Sequence, residues 1–134
     1  MQDRFKFRAW SFDNKKYYPQ NEQGMFILGG ELPNGTPVGV SCSVEDLVNS
    51  ENYGKKFIVE QCTGLKDKNG KLIYEGDIVE THDYTTEHSQ IVWDKSCYVL
   101  KSKDAAIYEH LSNYEKQCAI IGNIHENPEL LEEQ

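Results

Sequence analysis

The stretch "GLKDKNGKLIYEGDIVETH", residues 64 to 82, constrains the fold more than any other part of the chain. No apolar run within it exceeds three residues, and glycine interrupts it at positions 64, 70 and 76. Runs this short cannot build a helix of useful length, but they suit brief strands joined by tight turns. Asn69-Gly70 is a residue pair well suited to positive φ in a tight hairpin. Residues 72–74 and 78–81 therefore read as strands, with a second turn around Gly76 between them.

That second turn raises a chemical question, because Glu75 and Asp77 flank Gly76. Catalysis by a carboxylate pair needs both groups to converge on one reacting atom, with one of them buried so that its pKa rises. A turn needs less: glycine for the positive φ, and an aspartate that accepts hydrogen bonds from the exposed amides. The turn reading is preferred, with Asn69, Gly70, Gly76 and Asp77 as its structural residues. The competing enzyme reading is a metal-assisted hydrolase holding a divalent cation with Asp67, Glu75 and Asp77, since hard cations take several oxygens from a flexible loop.

Strand patterning continues on both sides. In "FKFRAW" the residues Phe5, Phe7 and Ala9 alternate with Lys6, Arg8 and Trp10, the period of a half-buried strand. Residues 57–62 form a β-branched and aromatic run, 90–93 and 97–101 form a hairpin around "DKS", and 118–124 returns to strand character. Between the first strand and this meander, "GGELPNGTPVG" reads as a loop or irregular excursion. Ser43 opens a short helix in "SVEDLVNS". Residues 104–116 have helical spacing at Ile107, Leu111 and Tyr114, the competitor being an irregular loop plus a strand. Asn127 and Pro128 begin a short terminal helix. The expected fold is mainly β with short helices: an SH3-like small β-barrel of short antiparallel strands over 53–134, preceded by an N-terminal extension over 1–52.

The chain of 134 residues carries 22 acidic against 14 basic side chains, a net charge of −8. Such a field repels phosphate backbones, so direct nucleic-acid binding is disfavoured. The acidity also permits a different reading, an acidic mimic that regulates a host nucleic-acid enzyme. No run approaches the ~20 apolar residues of a membrane span, and the charged amino terminus lacks a signal peptide's apolar core. A cytoplasmic protein is expected, with no membrane association. Cys42, Cys62, Cys97 and Cys118 are single rather than paired, which argues for reduced, packed thiols and against zinc. His82 and His88 lie in "THDYTTEHS", which reads as a polar connecting loop; a metal loop with Asp83 and Glu87 is the minor alternative. No cofactor is expected.

The motifs "KFRAW", "QCTGLKDKNGKLIYEGDIVE" and "IGNIHENPELLEE", in this order, resemble the YopX family of phage and prophage proteins. The resemblance implies a phage or prophage context, a bacterial host cell and an SH3-like barrel for the part holding "EGDIV". It brings no catalytic residue across. Together with the lack of a phosphate-cradling loop or nucleophile elbow, it favours a non-enzymatic interaction protein that binds a host or phage protein and self-associates as a homo-oligomer. Candidate interface residues are Phe5, Phe7, Trp10, Tyr17, Tyr18, Tyr53 and Trp93, because interfaces favour aromatics; core packing is the competing reading, and the preferred one for Trp10 and Trp93.

Overall fold

The structure, a computed structural model, describes residues 6–31, 33, 37–51, 53–82, 86–102 and 108–132. Phe5, Asp104 and Ile107 therefore lie outside the described residues. The fold is mainly β, and the single α-helix among the described residues has only five residues. The chain divides into two compact units whose boundary falls inside one long strand, between Gln61 and Cys62. Residues 53–61, read from the sequence as the start of the barrel, belong to the first unit. The first half of that strand pairs with the amino-terminal strand, and this pairing assigns them there.

In the first unit, β1 (Phe7–Ser11) lies between β2 (Lys16–Pro19) and the first half of β5 (Phe57–Lys66). A hairpin of β3 (Phe26–Glu31) and β4 (Pro37–Cys42) precedes α1 (Val44–Val48). Ser43 caps this helix as its sequence indicated, its Oγ accepting from the Asp46 amide at 3.0 Å. The hairpin corrects the expected irregular excursion over "GGELPNGTPVG". Gly29 faces Gly39 across the ribbon, and Pro37 is the first residue of its strand, a position that needs no ladder donor. Backbone pairing, with Phe26 and Leu28 packed into the core at one end, carries the ribbon through residues that a central strand would reject. The core of this unit is Ala9, Tyr18, Phe26 and Leu47, flanked by Phe7, Leu28 and Phe57.

In the second unit, the other half of β5 pairs with β6 (Leu72–Tyr74). A five-stranded antiparallel sheet has the order β10-β9-β8-β7-β11, formed by β7 (Asp77–His82), β8 (Thr86–Asp94), β9 (Cys97–Ser102), β10 (Tyr108–His110) and β11 (Ala119–Asn123). This curled half-barrel is compatible with the SH3-like reading. Its core joins Ile73, Val79, Ile91, Leu100, Leu111 and Cys118.

Three expectations are corrected in this unit. Residues 108–114 are not helical: Tyr108–His110 is an edge strand against β9, and Leu111–Tyr114 is one 3-10 turn. Leu111 and Tyr114 share a face because the 3-10 period is three, so the apolar spacing that reads as α-helical is met by a tighter turn. The terminal helix is likewise a single 3-10 turn, Pro128–Leu131, which the Asn127 side chain does not cap. That amide instead accepts from the Asn123 N–H at 3.2 Å. Finally, His82 and His88 sit on strands β7 and β8 rather than in a loop, because the hairpin ladder extends outward to His82 opposite Thr86.

The Gly76 turn is where strands meet. Gly76 has φ +90°; its N–H donates to the Ile91 carbonyl at 2.9 Å, and its own carbonyl accepts from the Ile124 N–H at 2.9 Å. The adjoining carboxylate of Asp77 is buried and accepts from the Tyr74 amide at 2.8 Å. The turn reading therefore holds for Gly76 and Asp77, and also for Gly70 at φ +80°. A β-branched side chain at Gly76 meets a backbone region that costs about 1–3 kcal/mol, whereas loss of one turn hydrogen bond costs about 1 kcal/mol. Gly76→Val should accordingly melt lower than Asp77→Ala in parallel thermal scans. Equal melting points for Gly76→Val and the parent chain would remove the turn explanation.

Candidate functional site

Asp67 begins the Asn69-Gly70 hairpin and is 2% exposed. Its Oδ1 accepts from the amides of Asn69 and Lys71, each at 2.9 Å, and its Oδ2 accepts from the Ile120 amide on β11 at 3.0 Å. Burial pushes its carboxyl pKa up, but these three amides and the nearby Lys71 charge outweigh burial and hold it below the usual carboxylate value. Asp77 is committed to Tyr74 in the same way. Two of the three carboxylates assigned to a divalent cation, Asp67 and Asp77, thus accept from backbone donors. Among the described residues no group of three or more His, Cys, Asp or Glu is arranged to hold a metal ion. That statement covers the His82, Glu87 and His88 reading, with Asp83 outside the described residues.

The aromatic candidates separate by burial. Trp10 and Tyr18 are 4% and 7% exposed, which makes them packing residues and not surface anchors. Trp10 packs edge-on to Tyr17 at 4.9 Å, and the Arg8 guanidinium lies 4.0 Å above the same tyrosine ring. The Tyr17 hydroxyl donates to buried Glu60 at 2.8 Å, and Arg8 Nε donates to the same oxygen at 3.0 Å. Phe7 packs against the core of its unit, and the half-buried Tyr53 accepts the Val59 amide on its hydroxyl. The core reading of Trp10 is the one its burial supports, and the half-buried Arg8 and Tyr17 converge beside it on the buried Glu60 carboxylate. No local pattern marks Glu60 as the missing partner, because it lies 52 residues from Arg8.

Trp93 is different. It lies on β8 two residues beyond Ile91, on the same face, opposite Tyr98 of β9. Ile91 and Leu100 are in the core, but the β8–β9 hairpin turns at Lys95-Ser96 just past Trp93, so the core face runs out beneath it. Trp93 is 52% exposed, the most exposed large apolar side chain among the described residues. Its ring meets Tyr98 edge-on at 4.8 Å. Burial first, then the Glu75 and Cys62 charges, push the Tyr98 phenol up to about 12, so it stays protonated at neutral pH.

The four cysteines are free thiols, not paired in disulfides. Cys62 and Cys118 are fully buried, and burial lifts Cys118 to about 11.

These features define a small, mainly β protein with a curled half-barrel sheet, a buried aspartate at its hairpin and an aromatic tip on the β8–β9 hairpin. The chain belongs to the YopX family: the family described as "YopX protein" matches residues 6–132. Its fold is similar to that of protein yopX from Bacillus subtilis, with a TM-score of 0.60, 19% identity, and coverage of 96% of this chain and 98% of that one. It is also similar to protein EF1440 from Enterococcus faecalis, with a TM-score of 0.58, 27% identity, and coverage of 94% and 96%. No curated protein matches the chain. Among the described residues no helix is long and apolar enough to cross a membrane.

The depressed pKa of Asp67 sets the sign of an acid effect. A group whose folded pKa lies below its unfolded value contributes stability above the unfolded value, about 3.9, and loses it as pH falls through the folded one. Asp67→Asn turns an N–H toward one of the three amides, and it should cost about 2–3 kcal/mol at neutral pH. The gap in melting temperature between the two proteins should close as pH drops below about 4. A gap that stays constant down to acid would show that the charge of Asp67 contributes nothing.

Proposed function

We propose that this chain is a phage- or prophage-encoded interaction protein without catalytic activity, acting in the cytoplasm of a bacterial host. It docks a host or phage protein and self-associates, with the β8–β9 hairpin tip as the docking element. One observation carries the reading: a tryptophan continues a core face into solvent and is steadied there by Tyr98. Interface energy concentrates in aromatic anchors of this kind, and an anchor already held by a neighbour loses little conformational freedom on binding. The edge strand β10, only three residues long, offers little backbone for pairing, so side chains of the tip are the stronger attachment. The phage context implied by the family motifs fits a small protein whose work is to engage another protein.

Light scattering on the full chain over a range of concentrations, beside Trp93→Ser, tests the self-association. The full chain should scatter as a species heavier than 15.4 kDa that dissociates on dilution. Trp93→Ser should run as a monomer, with stability changed by no more than about 1 kcal/mol because the site is at the surface. A full chain that is monomeric throughout removes self-association. Affinity capture from infected cells then tests partner docking: loss of a captured protein on Trp93→Ser supports the tip as the docking element, and unchanged capture rejects it.

A further inference from the structure

The outward face of β7 and β8 carries a hydrogen-bonded row that the proposed docking element does not use. Glu80 and His88 are direct register partners, and His82 lies two residues along β7 on the same face. Glu80 Oε2 is 3.0 Å from His88 Nε2, and Glu80 Oε1 is 2.7 Å from His82 Nε2. The second nitrogen of each ring meets a different kind of partner. His82 Nδ1 is 3.0 Å from the Thr86 hydroxyl, which donates as readily as it accepts, so a neutral His82 satisfies both of its contacts. His88 Nδ1 is 2.9 Å from the Leu130 carbonyl, which only accepts. Facing a carboxylate on one side and a carbonyl on the other, His88 needs a proton on both nitrogens.

We propose that His88 is a proton-operated latch: as an imidazolium it holds the C-terminal 3-10 turn Pro128–Leu131 against β8 through the Leu130 carbonyl, and on losing a proton it releases that turn.

A neutral imidazole has one N–H. Glu80 claims it, because a hydrogen bond to an ionised acceptor is about twice as strong as one between neutral groups. Hydrogen bonds from His88 first and His82 second hold the Glu80 carboxyl below its usual range, so Glu80 stays ionised and cannot supply the missing proton. Nδ1 then turns a lone pair toward the Leu130 oxygen, two negative centres at contact distance. Two backbone bonds, from the Leu130 N–H to the Asn127 carbonyl and from the Glu132 N–H to the Glu129 carbonyl, lie within the segment, and the His88 contact reaches across to β8.

The surrounding charges agree with this direction. From β7 the ring faces Glu80, which His82 shares; on β8 its neighbour is the exposed Glu87. From β9, Lys101 stands opposite Gln90 on the same face. The terminal segment brings Glu126, Glu129, Glu132 and His125. Lys103 and Glu133 lie outside the described residues. Glu80, in direct contact with Nε2, favours the charged ring. Docking is thus complete below the ordinary imidazole range, near 6.5, and weakens as pH rises, by at most about tenfold per pH unit for one proton.

Amide hydrogen exchange on the full chain between about pH 5.5 and 8.5, corrected for intrinsic exchange, tests the latch. A single 3-10 turn has no stability when undocked, so the Leu130 and Glu132 amides should lose protection relative to Val79 and Ile91 as pH rises. His88→Gln should abolish the pH dependence, whereas His82→Gln and His125→Gln should keep it. A flat ratio in the parent chain, or a slope that survives His88→Gln, overturns the proposal. Should His88→Gln fail to fold, nitrogen-15 spectra of the parent chain at about pH 6 decide instead: two protonated ring nitrogens on His88 support the latch, and a single neutral tautomer rejects it.

Discussion

The Asp67 carboxylate holds together pieces of backbone that are far apart in sequence. Two of its three amide donors belong to its own hairpin, and the third belongs to Ile120, 53 residues away. A carboxylate is suited to this because two oxygens offer several acceptor positions, and its charge strengthens every bond it accepts in a buried site. Flanking backbone bonds follow the same path, from Lys68 N–H to the Cys118 carbonyl and from Lys116 N–H to the Lys66 carbonyl. The β5–β6 hairpin is thereby fastened beside β11, and the core of Ile73, Val79 and Cys118 closes between them.

The Gly76 turn extends this fastening. Its one peptide unit on each side of the α-carbon bonds a different stretch of chain, Ile91 on β8 and Ile124 just past β11. The family motif at the end of the chain works the same way. A Cβ on Gly122 would lie 2.5 Å from Asn127 Oδ1, and the Asn123 side chain accepts from the amides of His125 and Glu126. Asp67 of "KDKNG", Asp77 of "EGD" and Asn123 and Asn127 of "IGNIHEN" therefore accept from backbone amides. The side chains that face outward with chemistry to offer, Trp93 and His88, stand outside those motifs, and Glu80 is the last residue of one.

The exposed indole of Trp93 and the His88 ring stand toward opposite ends of β8 and on opposite faces. The alternation of a strand makes this possible: odd positions from Ser89 to Trp93 follow the core face, and His88 and Gln90 take the opposite one. The proposed docking tip and the proposed latch therefore share no side chain.

What the sequence by itself determined was local. Asn69-Gly70 and Gly76 made turns because positive φ is nearly free for glycine, and Ser43 capped its helix because its oxygen reaches an amide three residues on. The strands between the turns followed from apolar runs too short for anything else. Tertiary structure decided everything that needed a distant partner. It made strands of the Gly- and Pro-rich ribbon at 26–42, because backbone pairing there outweighed propensity. It set residues 108–114 as an edge strand and a 3-10 turn, and brought Arg8 to Glu60, 52 residues away. The same holds for function: nothing near His88 in the sequence names Leu130, and nothing near Trp93 shows that the core ends beneath it. Short-range rules act through a few covalent bonds, whereas hydrogen-bond acceptors and core edges are set by segments that meet only when the chain is folded.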